Sequence, residues 1–113
     1  MIKVYHNPRC AKSREALQWL DDHQLSYEVV KYMEEGLRPD ELEELLDLLD
    51  KSAHELIRTK EAIWKEQYAD LDLNEDELIM VMVEEPRIME RPIVVTEDQA
   101  ILARPASALE ALL

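Results

Sequence analysis

Ile2-Lys3-Val4-Tyr5-His6-Asn7-Pro8-Arg9-Cys10-Ala11-Lys12-Ser13-Arg14 has the pattern of a strand-turn-helix junction. An apolar run from Ile2 to Tyr5 stops at a polar, proline-containing turn, and an amphipathic helix pattern built on Ser13, Ala16, Leu17 and Leu20 begins directly after it. Cys10, the only cysteine of the chain, therefore falls on the turn between strand and helix. Sulfur is a useful nucleophile only as thiolate. Unpaired N–H groups and the positive dipole end of a helix start lower a cysteine pKa from about 8.5 to about 3.5–7.5. Arg9, Lys12 and Arg14 are expected to push in the same direction. The alternative is an inert structural thiol, since free cysteine is among the most buried residue types. A proline and three cations around Cys10 favour the reactive reading.

Working outward, the helix is expected from about Ala11 to His23, and Tyr27-Glu28-Val29-Val30-Lys31 reads as a second strand, which makes a βαβ opening. The middle of the chain is helical. Pro39 suits a first helical position, and Leu42, Leu45, Leu46 and Leu49 form one apolar stripe on a helix otherwise rich in acids, whose charged face is solvated surface. Ser52 with Glu55 fits a capping box for a short helical turn. Thr59 is expected to cap a helix through Ala62 and Ile63, and Asn74 with Glu77 one that carries Leu78, Ile79 and Met82. These four short helices form an insert over about residues 39–85. After Pro86 the period changes: Pro92-Ile93-Val94-Val95-Thr96 and Ala100-Ile101-Leu102-Ala103 flank Glu97-Asp98-Gln99 as an antiparallel hairpin, and Pro105 opens a terminal helix ending near Leu113. The order predicts an α/β fold in a single domain, residues 1–113. Its layout resembles thioredoxin: a mixed four-stranded sheet flanked by helices, with the helical insert between strands 2 and 3.

Composition narrows the function classes. At 113 residues and 47% apolar content the chain can bury one real core. One cysteine cannot make an intramolecular disulfide, no run approaches the roughly 20 apolar residues of a membrane span, and the N-terminus opens directly into a strand pattern, so a cytoplasmic, reducing location is expected. Acids outnumber bases 26 to 13, for a net charge of −13, which disfavours nucleic acid as a partner. An anionic substrate would be repelled by that overall field, so local arginines must overcome it at the site. The single glycine, Gly36, excludes both a Walker loop and a Gly-rich dinucleotide turn. His6, His23 and His54 with Cys10 lack zinc spacing, so no metal is expected. Trp19, Trp64, Met80, Met82 and Met89 read as core or groove residues.

Arg58 follows Leu56-Ile57, Arg91 precedes Pro92 at the start of a strand, and Arg104 precedes Pro105 at the end of one. Planar guanidinium forks suit tetrahedral oxyanions, although an arginine taken singly is most often a solvated surface residue. With these anchors in view, the chain resembles the glutaredoxin-dependent arsenate reductase family over nearly its whole length. His6-Asn7-Pro8-Arg9-Cys10-x-x-Ser13-Arg14 is similar to that family's catalytic loop, and Arg58, Arg91 and Arg104 to its three oxyanion arginines.

The resemblance implies a catalytic Cys10 assisted by His6, Arg58, Arg91 and Arg104, with Asn7, Ser13 and Arg14 beside the bound anion. It implies that Cys10 attacks arsenate to form a thiol-arsenate adduct, that glutathione enters as co-substrate, that arsenite leaves, and that glutaredoxin clears the mixed disulfide. No bound cofactor is implied. A lone cysteine agrees with this, because it has no resolving thiol in the same chain and an external thiol must close any redox cycle. His6 stands between two readings, a modulator of thiol ionisation and a structural residue at a strand end. Asn7 and Ser13 likewise either donate hydrogen bonds to the thiolate and orient the loop or serve as turn and capping residues, capping being the favoured reading for Ser13. The thioredoxin-like layout further implies a cis peptide bond at Arg91–Pro92. Two non-enzymatic alternatives remain: an Spx-like regulator binding RNA polymerase, which is disfavoured because Cys10-Ala11-Lys12-Ser13 lacks the second thiol of a Cys-x-x-Cys switch, and an oxyanion-binding protein without turnover.

Overall fold

The computed structural model describes all 113 residues, which form two compact units: Met1–Glu35 with Arg91–Leu113, and Gly36–Glu90. The first unit is a four-stranded sheet built from β1 (Ile2–Tyr5), β2 (Tyr27–Val30), β3 (Ile93–Val95) and β4 (Ala100–Leu102) in the order β2-β1-β3-β4. β1 runs parallel to β2 and antiparallel to β3, and β3 and β4 make the expected hairpin. The sheet is thus mixed, and its central strands come from opposite ends of the chain.

Alternation along the strands sorts the side chains onto two faces. Val4 lies opposite Val94, and both are fully buried with Ala16 and Leu20 of α1 (Ala11–Asp22), Ala103 and Leu109. Ala16 and Leu20 are one helical turn apart, so α1 needs only one apolar stripe to cover this face. Fully burying a side chain such as Leu20 stabilises by about 1.5–3 kcal/mol. Tyr5 lies opposite Ile93 on the other face, and the Tyr5 ring centroid is 6.5 Å from that of Tyr32 in α2 (Tyr32–Glu35), a short helix the sequence reading lacked. Leu109 reaches the core from Ala106–Leu112, which is a 3₁₀ rather than an α segment.

The second unit is a run of short helices. α3 (Pro39–Leu49) buries Leu42, Leu45 and Leu46, starts at Pro39 as expected, and is tied at its N-terminus by the Arg38 N–H donating to Glu41 Oε1 at 3.2 Å. Its last turn closes through Asp50 in the left-handed region, φ 56°. α5 (Glu75–Glu84) has the expected reciprocal cap: Glu77 N–H donates to Asn74 Oδ1 at 2.9 Å, and Asn74 N–H to Glu77 Oε1 at 3.0 Å.

Two expected caps differ. Glu55 Oε1 accepts from both the N–H and the hydroxyl of Ser52, at 3.1 Å each, so the Ser52 hydroxyl donates to a carboxylate instead of capping; the 3₁₀ turn His54–Leu56 starts one residue later, at Ala53. Thr59 does not cap α4 (Ala62–Gln67), because the chain is still turning at Thr59-Lys60 and Glu61 occupies the N-cap. A further 3₁₀ turn, Pro86–Ile88, follows α5. Trp64, Met82 and Met89 are buried as expected, whereas Met80 is exposed. No helix is long and apolar enough to cross a membrane.

Candidate active site

Cys10 occupies the N-cap of α1 in extended backbone, φ −98° and ψ 123°, on the strand-to-helix turn expected for it. The turn is closed by its own residues. Cys10 N–H donates to the Asn7 carbonyl at 3.0 Å, Arg9 N–H to Asn7 Oδ1 at 3.1 Å, and Asn7 N–H to Ser13 Oγ at 3.4 Å. Asn7 and Ser13 are both buried, which shields these bonds from water and fixes the loop. Arg14 is exposed and donates from Nη1 to the Pro8 carbonyl at 2.9 Å, so it braces the loop from outside.

The cations that reach the sulfur come from the other end of the chain. The β3–β4 hairpin carries Arg91 just before β3 and Arg104 just after β4, at the same end of the ladder, and Ala103 N–H donates to the Pro92 carbonyl at 3.0 Å to extend it. Arg104 Nη1 bridges the two strands by donating to the Arg91 carbonyl at 3.1 Å, and the same nitrogen lies 3.9 Å from Cys10 Sγ. The Arg91–Pro92 peptide bond is cis as expected; Arg104–Pro105 is cis as well, which the sequence did not suggest.

Burial alone would push the Cys10 thiol up. It is outweighed by the Ser13 backbone N–H, the Arg91 side chain, the Lys12 backbone N–H and the positive charge of Arg91, and the thiol falls to about 7. The helix start and a guanidinium from the hairpin are thus what lower it. The side chains of Arg9, Lys12 and Arg14, expected to do so, point to other work: Arg9 is exposed, Lys12 Nζ pairs with Glu15 at 3.5 Å, and Arg14 holds Pro8.

His6 extends the pairing of β1 with β2 by donating its N–H to the Val30 carbonyl at 3.0 Å, and its ring is buried with no hydrogen-bond partner at Nδ1. Its pKa is lowered first by burial and then by the charge of Lys31; a backbone hydrogen bond at Ser13 opposes this and Arg14 adds to it, so the surroundings favour the neutral ring. Lys31 was missed as a site neighbour. The parallel register was the available signal, because Tyr5 pairs with Val30 and the next residue on each strand is His6 and Lys31.

Arg58 belongs to the second unit. An antiparallel bridge between Ile57 and Met89 holds it there, with Arg58 N–H donating to the Ile88 carbonyl at 2.6 Å and Glu90 N–H to the Leu56 carbonyl at 2.7 Å. Its Nη2 lies 3.6 Å from Glu61 Oε1, and its Nη1 is buried without a hydrogen-bond partner. No cluster of three or more His, Cys, Asp or Glu side chains is arranged to hold a metal ion.

In chemical terms the first unit combines a thiol lowered to about 7 with two guanidinium groups anchored on one hairpin. Such a site can attack an electrophilic centre through sulfur while fork-shaped donors take up charge on its oxygens.

Comparison with known proteins places this arrangement in a family. The ArsC family profile matches residues 5–112. The uncharacterized protein YfgD of Escherichia coli K12 is 47% identical over 106 residues, covering 92% of this chain and 89% of its own. The arsenate reductase of Neisseria meningitidis serogroup A is 39% identical over 117 residues, covering 99% of this chain and 97% of its own. The solved arsenate reductase of Vibrio cholerae superimposes with a TM-score of 0.93 at 37% identity, covering 99% and 97%. A match over nearly every residue, joined to a thiol on the first strand-helix turn beside the hairpin arginines, means that this chain belongs to the ArsC family and has its thioredoxin-like fold.

Proposed function

We propose that the protein is an arsenate reductase that converts arsenate to arsenite through a covalent Cys10 adduct, using glutathione and glutaredoxin as reductants. The observation that carries this reading is the Cys10 thiol, lowered to about 7 beside the Arg91 and Arg104 guanidiniums. Near neutral pH about half of it is thiolate. The Cys10 thiolate attacks As(V), an S–As bond forms, and an arsenate oxygen leaves as water after protonation. Arg91 and Arg104 donate to the remaining oxygens, and Arg58, with its buried Nη1 unused, is the third donor that the family resemblance supplies. A glutathione thiol then supplies the second sulfur. Two electrons pass to arsenic, arsenite leaves, and the two sulfurs remain joined as a Cys10–glutathione disulfide, which glutaredoxin reduces by thiol–disulfide exchange. A chain with one cysteine needs such an external thiol.

The test is arsenate-dependent NADPH oxidation coupled through glutathione, glutaredoxin and glutathione reductase. Turnover by the wild type, falling to background in Cys10→Ser, is the expected result. A folded wild-type protein that gives none with several glutaredoxins would overturn the reading in favour of a regulator or of another thiol chemistry.

A further inference from the structure

Beside the catalytic loop lies a cleft of about 280 Å³, lined by Asn7, Pro8 and Arg9 of the β1–α1 turn and by Lys31, Met33 and Glu34 at the start of α2. All six belong to the first unit. The volume is just below the range for whole-ligand pockets, about 300–1,000 Å³, as suits part of a small molecule whose reactive end must stay mobile. Its charges run against the rest of the chain: acids outnumber bases two to one overall, yet this cleft holds two cations and one carboxylate. Neither Arg9 nor Lys31 forms an ion pair, although Lys12, Arg38, Arg58 and Arg87 all do. Arg9 directly precedes Cys10, and its backbone is pinned by the Asn7 side chain at 3.1 Å, so one wall of the cleft is the catalytic turn itself.

We propose that this cleft holds the peptide portion of the reducing thiol. Arg9 and Lys31 take its two carboxylates, Glu34 takes its α-ammonium, and Met33 provides the apolar floor. Glutathione carries that set of charges, two negative and one positive, which is the complement of the cleft. The proposal rests on the reading of a glutathione-dependent enzyme and assigns the place from which the second sulfur approaches Cys10. It also gives Arg9, whose charge does not lower the thiol, a role in recognition.

The probe is S-methylglutathione, which keeps the charges of glutathione and cannot react. Titrated into the full chain and followed by backbone amide chemical shifts, it is expected to give saturable changes at Asn7, Arg9, Lys31, Met33 and Glu34. Arg9→Gln and Lys31→Gln should each weaken binding about tenfold, the scale of one lost charge-assisted hydrogen bond, and Lys31→Arg should restore most of it. A second readout uses disulfide exchange: the Cys10 thiolate attacks oxidised glutathione, one S–S bond breaks as another forms, and one glutathione thiolate leaves. Both Gln variants should slow this exchange, and Arg9→Gln should leave exchange with uncharged hydroxyethyl disulfide within about twofold of wild type. Shift changes that do not saturate or fall elsewhere, or rates that drop equally with both disulfides, would overturn the proposal. Neither measurement contains arsenate, so failure of the arsenate assay with binding intact condemns the substrate assignment and leaves the cleft standing.

Discussion

The sheet unit and the helical unit Gly36–Glu90 are built on different principles. In the helical unit most stabilising features are local: Leu42, Leu45 and Leu46 share one turn-to-turn stripe, and the Asn74–Glu77 cap spans three residues. In the sheet unit the decisive contacts join the two ends of the chain. Val4 faces Val94, and Arg104 reaches Cys10. The thiol's ionisation follows the second pattern: the groups that lower Cys10 all lie in the sheet unit, whereas Arg58 of the helical unit pairs with Glu61 of that same unit. The expectation is that stability can be altered in the helical unit without moving the Cys10 ionisation set up within the sheet unit.

The largest test of that separation is Arg91→Ala. Removing the guanidinium that lowers the thiol and that the proposed mechanism assigns to the oxyanion should reduce kcat/KM for arsenate about 10²–10³-fold, and the midpoint of iodoacetamide labelling should move above 7. Arg91→Lys should recover little of the rate, since a point charge does not reproduce the fork. An unchanged labelling curve in Arg91→Ala would break the link between hairpin and thiol.

Next in size is the pH dependence of the wild type. With the thiol at about 7, the nucleophile is the deprotonated form, so labelling of Cys10 should rise with pH. From pH 6 to pH 8 the thiolate fraction grows about tenfold and then levels. A curve still rising steeply above pH 8 would mean that the helix start and Arg91 do not act on the sulfur.

Leu42→Ala probes the helical unit. Deleting a fully buried leucine costs about 2–5 kcal/mol, seen as a lower urea midpoint, whereas the Cys10 labelling midpoint should stay where it is under native conditions. A shift of both would show that the insert tunes the thiol. The smallest effect is expected from Asn74→Ala, which loses one side of the α5 cap, about 1 kcal/mol of stability, with no change in labelling.

The same contrast explains how far the sequence could be read. The Leu42–Leu49 stripe, the Asn74–Glu77 cap, the proline at the start of α3 and the hairpin around Glu97-Asp98-Gln99 are short-range patterns and were legible. Ser52 and Thr59 misled because a hydroxyl can donate as well as accept, and a cap residue only works where the next residues are already helical. The short helix Tyr32–Glu35 carries too few residues for a periodic signal.

The Cys10 loop divides along the same line. Its strand-turn-helix character, the position of Cys10 at a helix start and the absence of a second thiol in the chain follow from neighbouring residues and from there being only one cysteine. The identity of the cations on the sulfur does not. Arg9, Lys12 and Arg14 are near Cys10 in the chain and are engaged elsewhere or exposed, while Arg91 and Arg104 are distant in the chain and meet the thiol because the hairpin pairs with β1. Electrostatic influence depends on separation in space and on burial, and only the antiparallel pairing of β3 with β1 sets those quantities for this thiol.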